Sequence, residues 1–149
     1  MHPTKELIQF DNFSFTYDNH SDNGVHDMNL SVSEDEFILF TGPSGCGKTT
    51  LTRCINGLIP DFYDGTISGS CRICGMELSE HETGDFASHV GSVFQDPRSQ
   101  FFTLHVNTEL PFPSENLDIP MEKIQASMSS TIADLQMESL LSKRISDPF

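Results

Sequence analysis

The sequence predicts a mixed α/β fold, and three observations carry that expectation. Apolar and polar residues alternate in two early segments, at Phe13, Phe15 and Tyr17 and again at Met28, Leu30 and Val32; this is the period of a half-buried strand. A continuous apolar run, Phe37-Ile38-Leu39-Phe40, leads into a glycine-rich segment, as parallel strands buried on both faces do. Leu51, Ile55 and Leu58 then fall at i, i+4 and i+7, the stripe of a helix.

In chain order, Asp18 to Gly24 is rich in Asp, Asn, Ser and Gly and reads as a turn between the first two strands. Ser33-Glu34-Asp35-Glu36 is an acidic turn before the Phe37–Phe40 strand. The helix that follows is expected to end at Pro60. Residues 61–69 read as loop, Ser70 to Ile73 as a strand and Val90 to Phe94 as another. Pro111, Pro113 and Pro120 punctuate a second loop, and Pro120 suits the first position of a helix. Met121, Ile124, Met128, Ile132 and Leu135 step by three and four, with Ser127, Ser129 and Ser130 on the wet side.

Composition narrows the function classes. The 149 residues carry 8 Lys+Arg against 22 Asp+Glu, a formal net charge of −14. Direct binding to nucleic acid or insertion at an anionic lipid surface needs a basic face, which argues against both. No apolar run approaches the roughly 20 residues of a membrane-spanning helix, and the N-terminus shows no signal-peptide pattern, so a cytoplasmic chain is expected. Cys71-Arg72-Ile73-Cys74 has zinc-knuckle spacing but no second cysteine pair, whereas structural zinc sites usually take four ligands; the cysteines read as incidental.

The chemistry concentrates at Gly42-Pro43-Ser44-Gly45-Cys46-Gly47-Lys48-Thr49-Thr50. Two glycines spaced five apart, followed by Lys and Thr, are expected by chance about 0.005 times in a chain of this size. The flanking strand and helix are the arrangement that confirms a phosphate-binding loop. Glycines let the backbone turn tightly and bring its N–H groups to phosphate oxygens, and the helix start adds its positive dipole end. Lys48 is expected to reach the β- and γ-phosphates, and the Thr49 hydroxyl to take one position on Mg²⁺. With so acidic a chain, these local donors and Mg²⁺ must outweigh a repulsive overall field.

From these residues onward the chain resembles the ATP-binding subunits of ABC transporters. Gly42 to Leu51 is similar to the family's Walker A loop. Tyr17 stands upstream where the family keeps an aromatic residue that stacks on adenine, a role that suits a large apolar ring. Val93-Phe94-Gln95-Asp96-Pro97 resembles the Q-loop, in which the glutamine helps hold Mg²⁺ and the attacking water and senses the transmembrane partner. Asn56 to Tyr63, Phe94 to Phe102 and Glu115-Asn116-Leu117 resemble the energy-coupling-factor (ECF) subgroup, which drives uptake of vitamins or metal ions. Leu110-Pro111-Phe112-Pro113 departs from the subgroup, where small or flexible residues are usual.

The resemblance implies a P-loop NTPase fold of the ABC nucleotide-binding type, with residues 1–94 as the nucleotide-binding core and 95–149 as the Q-loop and the start of a helical subdomain. It implies ATP and Mg²⁺ as ligands, and as partners a second ATPase subunit or domain and a transmembrane transporter subunit, with peripheral membrane attachment through them. No LSGGQ-like signature loop, no Walker B strand ending in Asp-Glu and no switch histidine is recognisable; Ile132-Ala133-Asp134 is the nearest string to a Walker B. The expectation is an N-terminal portion that offers the P-loop half of an ATP site, binds nucleotide without turnover and is marginally stable alone. A non-catalytic nucleotide-binding or interaction module is the alternative. A nucleotide kinase or GTPase fits less well, since no guanine-reading Asn-Lys-x-Asp string occurs.

Overall fold

The structure is a computed structural model and describes residues 5–18 and 23–147. Strands β1 (Glu6–Tyr17), β2 (Gly24–Ser33), β3 (Gly65–Ile73) and β4 (Met76–Glu77) form an antiparallel sheet in the order β2-β1-β3-β4. Helices α1 (Lys48–Ile55), α2 (Thr83–Ala87), α3 (Val106–Glu109), α4 (Phe112–Asn116) and α5 (Met121–Asp134) follow the sheet or interrupt it. The chain divides into two compact units between Ser92 and Val93.

In the first unit the core lies between the sheet and α1. Phe13 and Phe15 are fully buried and Tyr17 is half-buried, as the alternation predicts. Phe10 is buried as well, although strict alternation would place it on the opposite face from Phe13. A bulge resolves the parity. Asn12 takes a left-handed φ of 46°, and the pairing slips between Phe10 and Phe13 on the β2 side and between Asp11 and Ser14 on the β3 side. One extra residue in a strand restores the next apolar side chain to the core face. Across from it, Gly69 has φ +75° and comes so close that a Cβ there would lie 2.2 Å from the Asn12 carbonyl oxygen. In β2, Asp27 (φ 50°) does the same for Val25 and Met28. Leu51 and Cys54 of α1, with Ile59, Leu78 and Phe86, complete the buried cluster.

Three expectations need correction. The Phe37–Phe40 run is not a strand: it is irregular, with Phe37 91% and Leu39 74% exposed, and only Phe40 touches the core. Val90 to Phe94 is irregular too; the Val90 N–H donates to the Phe86 carbonyl at the end of α2, and Val93 is 87% exposed. The reason is shared. A strand needs a hydrogen-bonded neighbour, and parallel neighbours come only through long crossovers; among the described residues all the strand pairings are antiparallel. The third concerns α1, which stops at Ile55 rather than reaching Pro60. Gly57 (φ 71°) takes the left-handed position there that commonly closes a helix, and Ile59 rather than Leu58 enters the core.

Smaller differences follow the same logic. The third strand begins at Gly65, well before Ser70, because it pairs along β1 as far as Tyr17. Cys71 is buried in β3, while Cys74 sits in the following turn with φ 52°. Of the expected turn from Asp18 to Gly24, residues 19–22 lie outside the described residues.

In the second unit the predicted long helix is present as α5, with Pro120 as its N-cap rather than its first residue. Ile124 is buried and Met128 and Ile132 are half-buried, whereas Met121 and Leu135 at the ends of the stripe are exposed. The proline-punctuated loop holds the short helix α4, with proline in its first turn, where the missing N–H costs nothing. The unit is closed by pairing of residues 104–106 with 143–145: Val106 N–H donates to Lys143 O (3.2 Å) and Ile145 N–H to Leu104 O (3.0 Å).

Candidate nucleotide site

The glycine-rich loop lies in the first unit between the irregular Phe37–Phe40 segment and α1. Gly45 and Gly47 adopt φ values of 83° and 92°, which a side chain would resist. At Gly47 space adds to conformation: a Cβ would fall 2.8 Å from Val25 Cγ1 and 3.0 Å from Gly24 O. The loop is therefore seated directly on the first residues of β2. Gly47 is also the N-cap of α1, and no side chain caps that helix. The N–H groups of a helix's first turn have no intrahelical acceptors, so this end presents donors and the positive end of the helix dipole.

Lys48 folds back across the loop. Its Nζ donates to the carbonyl oxygens of Gly42 (2.9 Å) and Pro43 (2.8 Å) and lies 3.3 Å from Cys46 Sγ. The two carbonyls hold the ammonium without neutralising it, because an amide oxygen carries no formal charge. Ser44, Gly45 and Thr49 are exposed. The residue set thus joins a fixed cation, glycine-shaped backbone and an open hydroxyl, the donor chemistry that a triphosphate and its magnesium ion require.

Thr50, by contrast, is buried and points the other way. Its Oγ1 is 3.2 Å from the Tyr17 hydroxyl, which also accepts a hydrogen bond from Arg53 Nη1 (3.0 Å). Tyr17 closes β1, with Phe15 and Tyr63 edge-to-face against it at 4.8 and 6.3 Å between centroids. The Arg53 guanidinium lies 4.0 Å from the centroid of the Tyr63 ring. The first unit therefore brings Tyr17 and the Gly42–Thr50 loop together through α1. Arg53 and its contact with Tyr63 were not legible in the sequence, because no spacing rule links a helix arginine to a tyrosine in a later loop.

Gln95 belongs to the second unit. It is exposed and precedes a single 3₁₀ turn, Pro97–Gln100, whose N-cap Asp96 accepts from the Arg98 N–H (3.1 Å). Downstream, the Glu109 carboxylate accepts from the N–H groups of Phe102 (3.2 Å) and Thr103 (2.8 Å). Partial burial pushes the Glu109 carboxyl up, but hydrogen bonds from Thr103 and Phe102 outweigh it and leave it below the usual carboxylate range. Burial raises the Cys54 thiol to about 12 and the Cys71 thiol further, with Cys54 and Glu77 adding to the effect. Both stay neutral thiols near pH 7.

Residues 25–148 match the family model described as ABC transporter. The chain belongs to the ABC transporter family. A provisionally named ABC transporter ATP-binding protein of Treponema denticola is 40% identical over 141 residues, covering 95% of this chain and 29% of the relative. One of the same description from Methanosarcina mazei is 38% identical over 137 residues, covering 92% and 23%. The solved structure of CbiO1 from Clostridium perfringens, described as part of the ABC transporter complex CbiONQ, superposes with a TM-score of 0.76 at 21% identity, over 93% of this chain and 54% of that one. The ABC chain thus has the P-loop nucleotide-binding fold of the family and spans less than a third of the two sequence relatives. No helix among its described residues is long and apolar enough to cross a membrane.

Proposed function

We propose that the chain provides the P-loop half of an ATP site in the ATP-binding subunit of an ECF-type importer. The carrying observation is the Gly42–Thr49 loop, closed over the start of α1 with the Lys48 ammonium held across it by two carbonyls. In this reading Gly42, Pro43, Ser44, Gly45, Cys46, Gly47 and Lys48 surround the phosphates, Thr49 and Thr50 follow at the helix start, and Thr49 gives its hydroxyl to Mg²⁺. Tyr17 stacks on the adenine. Gln95, carried by the second unit, would act toward Mg²⁺ and water as a Q-loop glutamine does. Bound Mg²⁺ would neutralise phosphate charge, which matters in a chain of net charge −14.

The ECF assignment draws support from the segments Asn56–Tyr63 and Phe94–Phe102 and from the likeness to CbiO1. A second ATPase subunit or domain would supply the opposing half of the site, and a transmembrane subunit would hold the protein at the cytoplasmic face of the membrane. A separate membrane protein would select the transported substrate. Clamping by Lys48 and Mg²⁺ would hold the nucleotide electrostatically.

Calorimetry with Mg-ATP tests this. Binding is expected, stronger than for Mg-GTP, and Lys48→Ala should weaken it by about 10-fold or more, the scale of a lost charge-assisted contact. Preference for GTP, or Mg-ATP affinity unchanged in Lys48→Ala, would overturn the reading.

A further inference from the structure

The cluster behind the loop carries a role of its own. Arg53 Nη1 donates to the Tyr17 hydroxyl (3.0 Å), and that hydroxyl shares a second hydrogen bond with Thr50 Oγ1 (3.2 Å). The hydroxyl is thereby tied to two side chains of α1. Arg53 is itself held, with its guanidinium 4.0 Å from the centroid of the Tyr63 ring. Three elements meet here: the end of β1, one face of α1 and the loop that leads into β3. An exposed tyrosine at a strand end would rotate freely about two torsions. This one is tied at its hydroxyl and contacted edge-on by Phe15 and Tyr63.

We propose that Arg53 and Tyr63 are positioning residues for the nucleotide base: they hold the Tyr17 ring against the P-loop helix so that its platform is set before nucleotide arrives. The inference rests on the reading of Tyr17 as the base-stacking residue. Fixing a side chain in advance removes the ordering cost that binding would otherwise carry. The tie to Thr50, next in the chain to Thr49, also sets the spacing between base platform and phosphate loop through a single helix. A ligand with both a base and a triphosphate then benefits from the arrangement, and a bare triphosphate does not.

Affinities for Mg-ATP and for inorganic Mg-tripolyphosphate, measured on the 149-residue chain and its variants, separate these effects. Tyr17→Phe keeps the ring and removes the tether; Arg53→Met keeps the length and removes donor and charge. Each should weaken ATP by about fivefold, the scale of one hydrogen bond, and leave tripolyphosphate within about twofold. Tyr63→Leu should resemble Arg53→Met, and Tyr63→Phe, which keeps the ring under the guanidinium, should bind like the parent. Equal weakening of both ligands would mean that the cluster serves only packing and would overturn the proposal, as would unchanged ATP affinity. Tyr17→Ala tests the underlying reading separately. If it weakens ATP no more than tripolyphosphate, base stacking on Tyr17 is wrong; if it is selective while Arg53→Met is silent, stacking stands and the positioning role falls.

Discussion

The first strand and the Phe37–Phe40 segment are similar in composition and opposite in fate. Both are rich in β-forming apolar residues. Phe13 and Phe15 in β1 are fully buried, whereas Phe37 is 91% exposed and lies in no strand. The difference is the distance to a partner. The first strand pairs with β2 on one edge and β3 on the other, and Phe13 and Phe15 sit in the buried cluster. An apolar run without a neighbour has no ladder to join, and burial energy alone does not create one. Apolar sequence sets the propensity for a strand; the availability of an edge sets the outcome.

Substitution on the two sides of this comparison should give the largest contrast. Phe15→Ala is expected to cost about 3–5 kcal/mol through the cavity it leaves, and Phe37→Ala to stay within about 0.5 kcal/mol. Chemical denaturation of both variants measures this, and comparable losses would mean that the Phe37 segment is packed in solution. Gly47→Ala probes the join between sheet and loop, since the methyl would press on Val25 and force a left-handed φ on alanine; about 1–3 kcal/mol is expected, together with weakened Mg-ATP binding. A melting temperature and affinity both equal to the parent would refute that seating.

Cysteine reactivity sharpens the same divide between covered and open residues. Iodoacetamide at pH 8 should label exposed Cys46 while leaving Cys54 and Cys71 unmodified until denaturant is added. Peptide mass spectrometry reads the order of labelling, and early modification of Cys54 would contradict its burial. The smallest effect belongs to the second unit. The Glu109 carboxyl lies below its ordinary range because it accepts N–H bonds from Phe102 and Thr103. A depressed carboxylate contributes order that is fully present above its unfolded-state pKa and is lost as pH falls through the lowered folded value. Amide exchange at Phe102 and Thr103, corrected for the intrinsic pH dependence, should therefore lose protection below the usual carboxylate range. Glu109→Gln should show weak protection at every pH.

Much of the candidate site's local backbone shape was legible in advance because its signals are local. The spacing of Gly42, Gly47, Lys48 and Thr49 needs only a strand-side approach and a helix start, and α1 begins at Lys48 as that spacing requires. The alternation at Phe13, Phe15 and Tyr17 and the stripe of α5 are likewise properties of a few successive residues. The buried position of Phe10 was not readable, because it depends on a bulge at Asn12 that the neighbouring strand and Gly69 accommodate. Nor was the end of α1, where Gly57 competed with Pro60 and acted first.

The sequence by itself determined where a glycine-rich turn would open a helix, where a lysine and a threonine hydroxyl would stand beside it, and the acidic background around them. Tertiary structure alone decided which apolar runs became strands, on which side of the bulge each phenylalanine fell, and that Tyr17, Thr50, Arg53 and Tyr63 would meet. The physical reason is range. Glycine dihedrals, helix periodicity and residue chemistry act within a few positions of the chain, whereas sheet edges and a guanidinium stacked on a ring exist only after distant segments have been brought together.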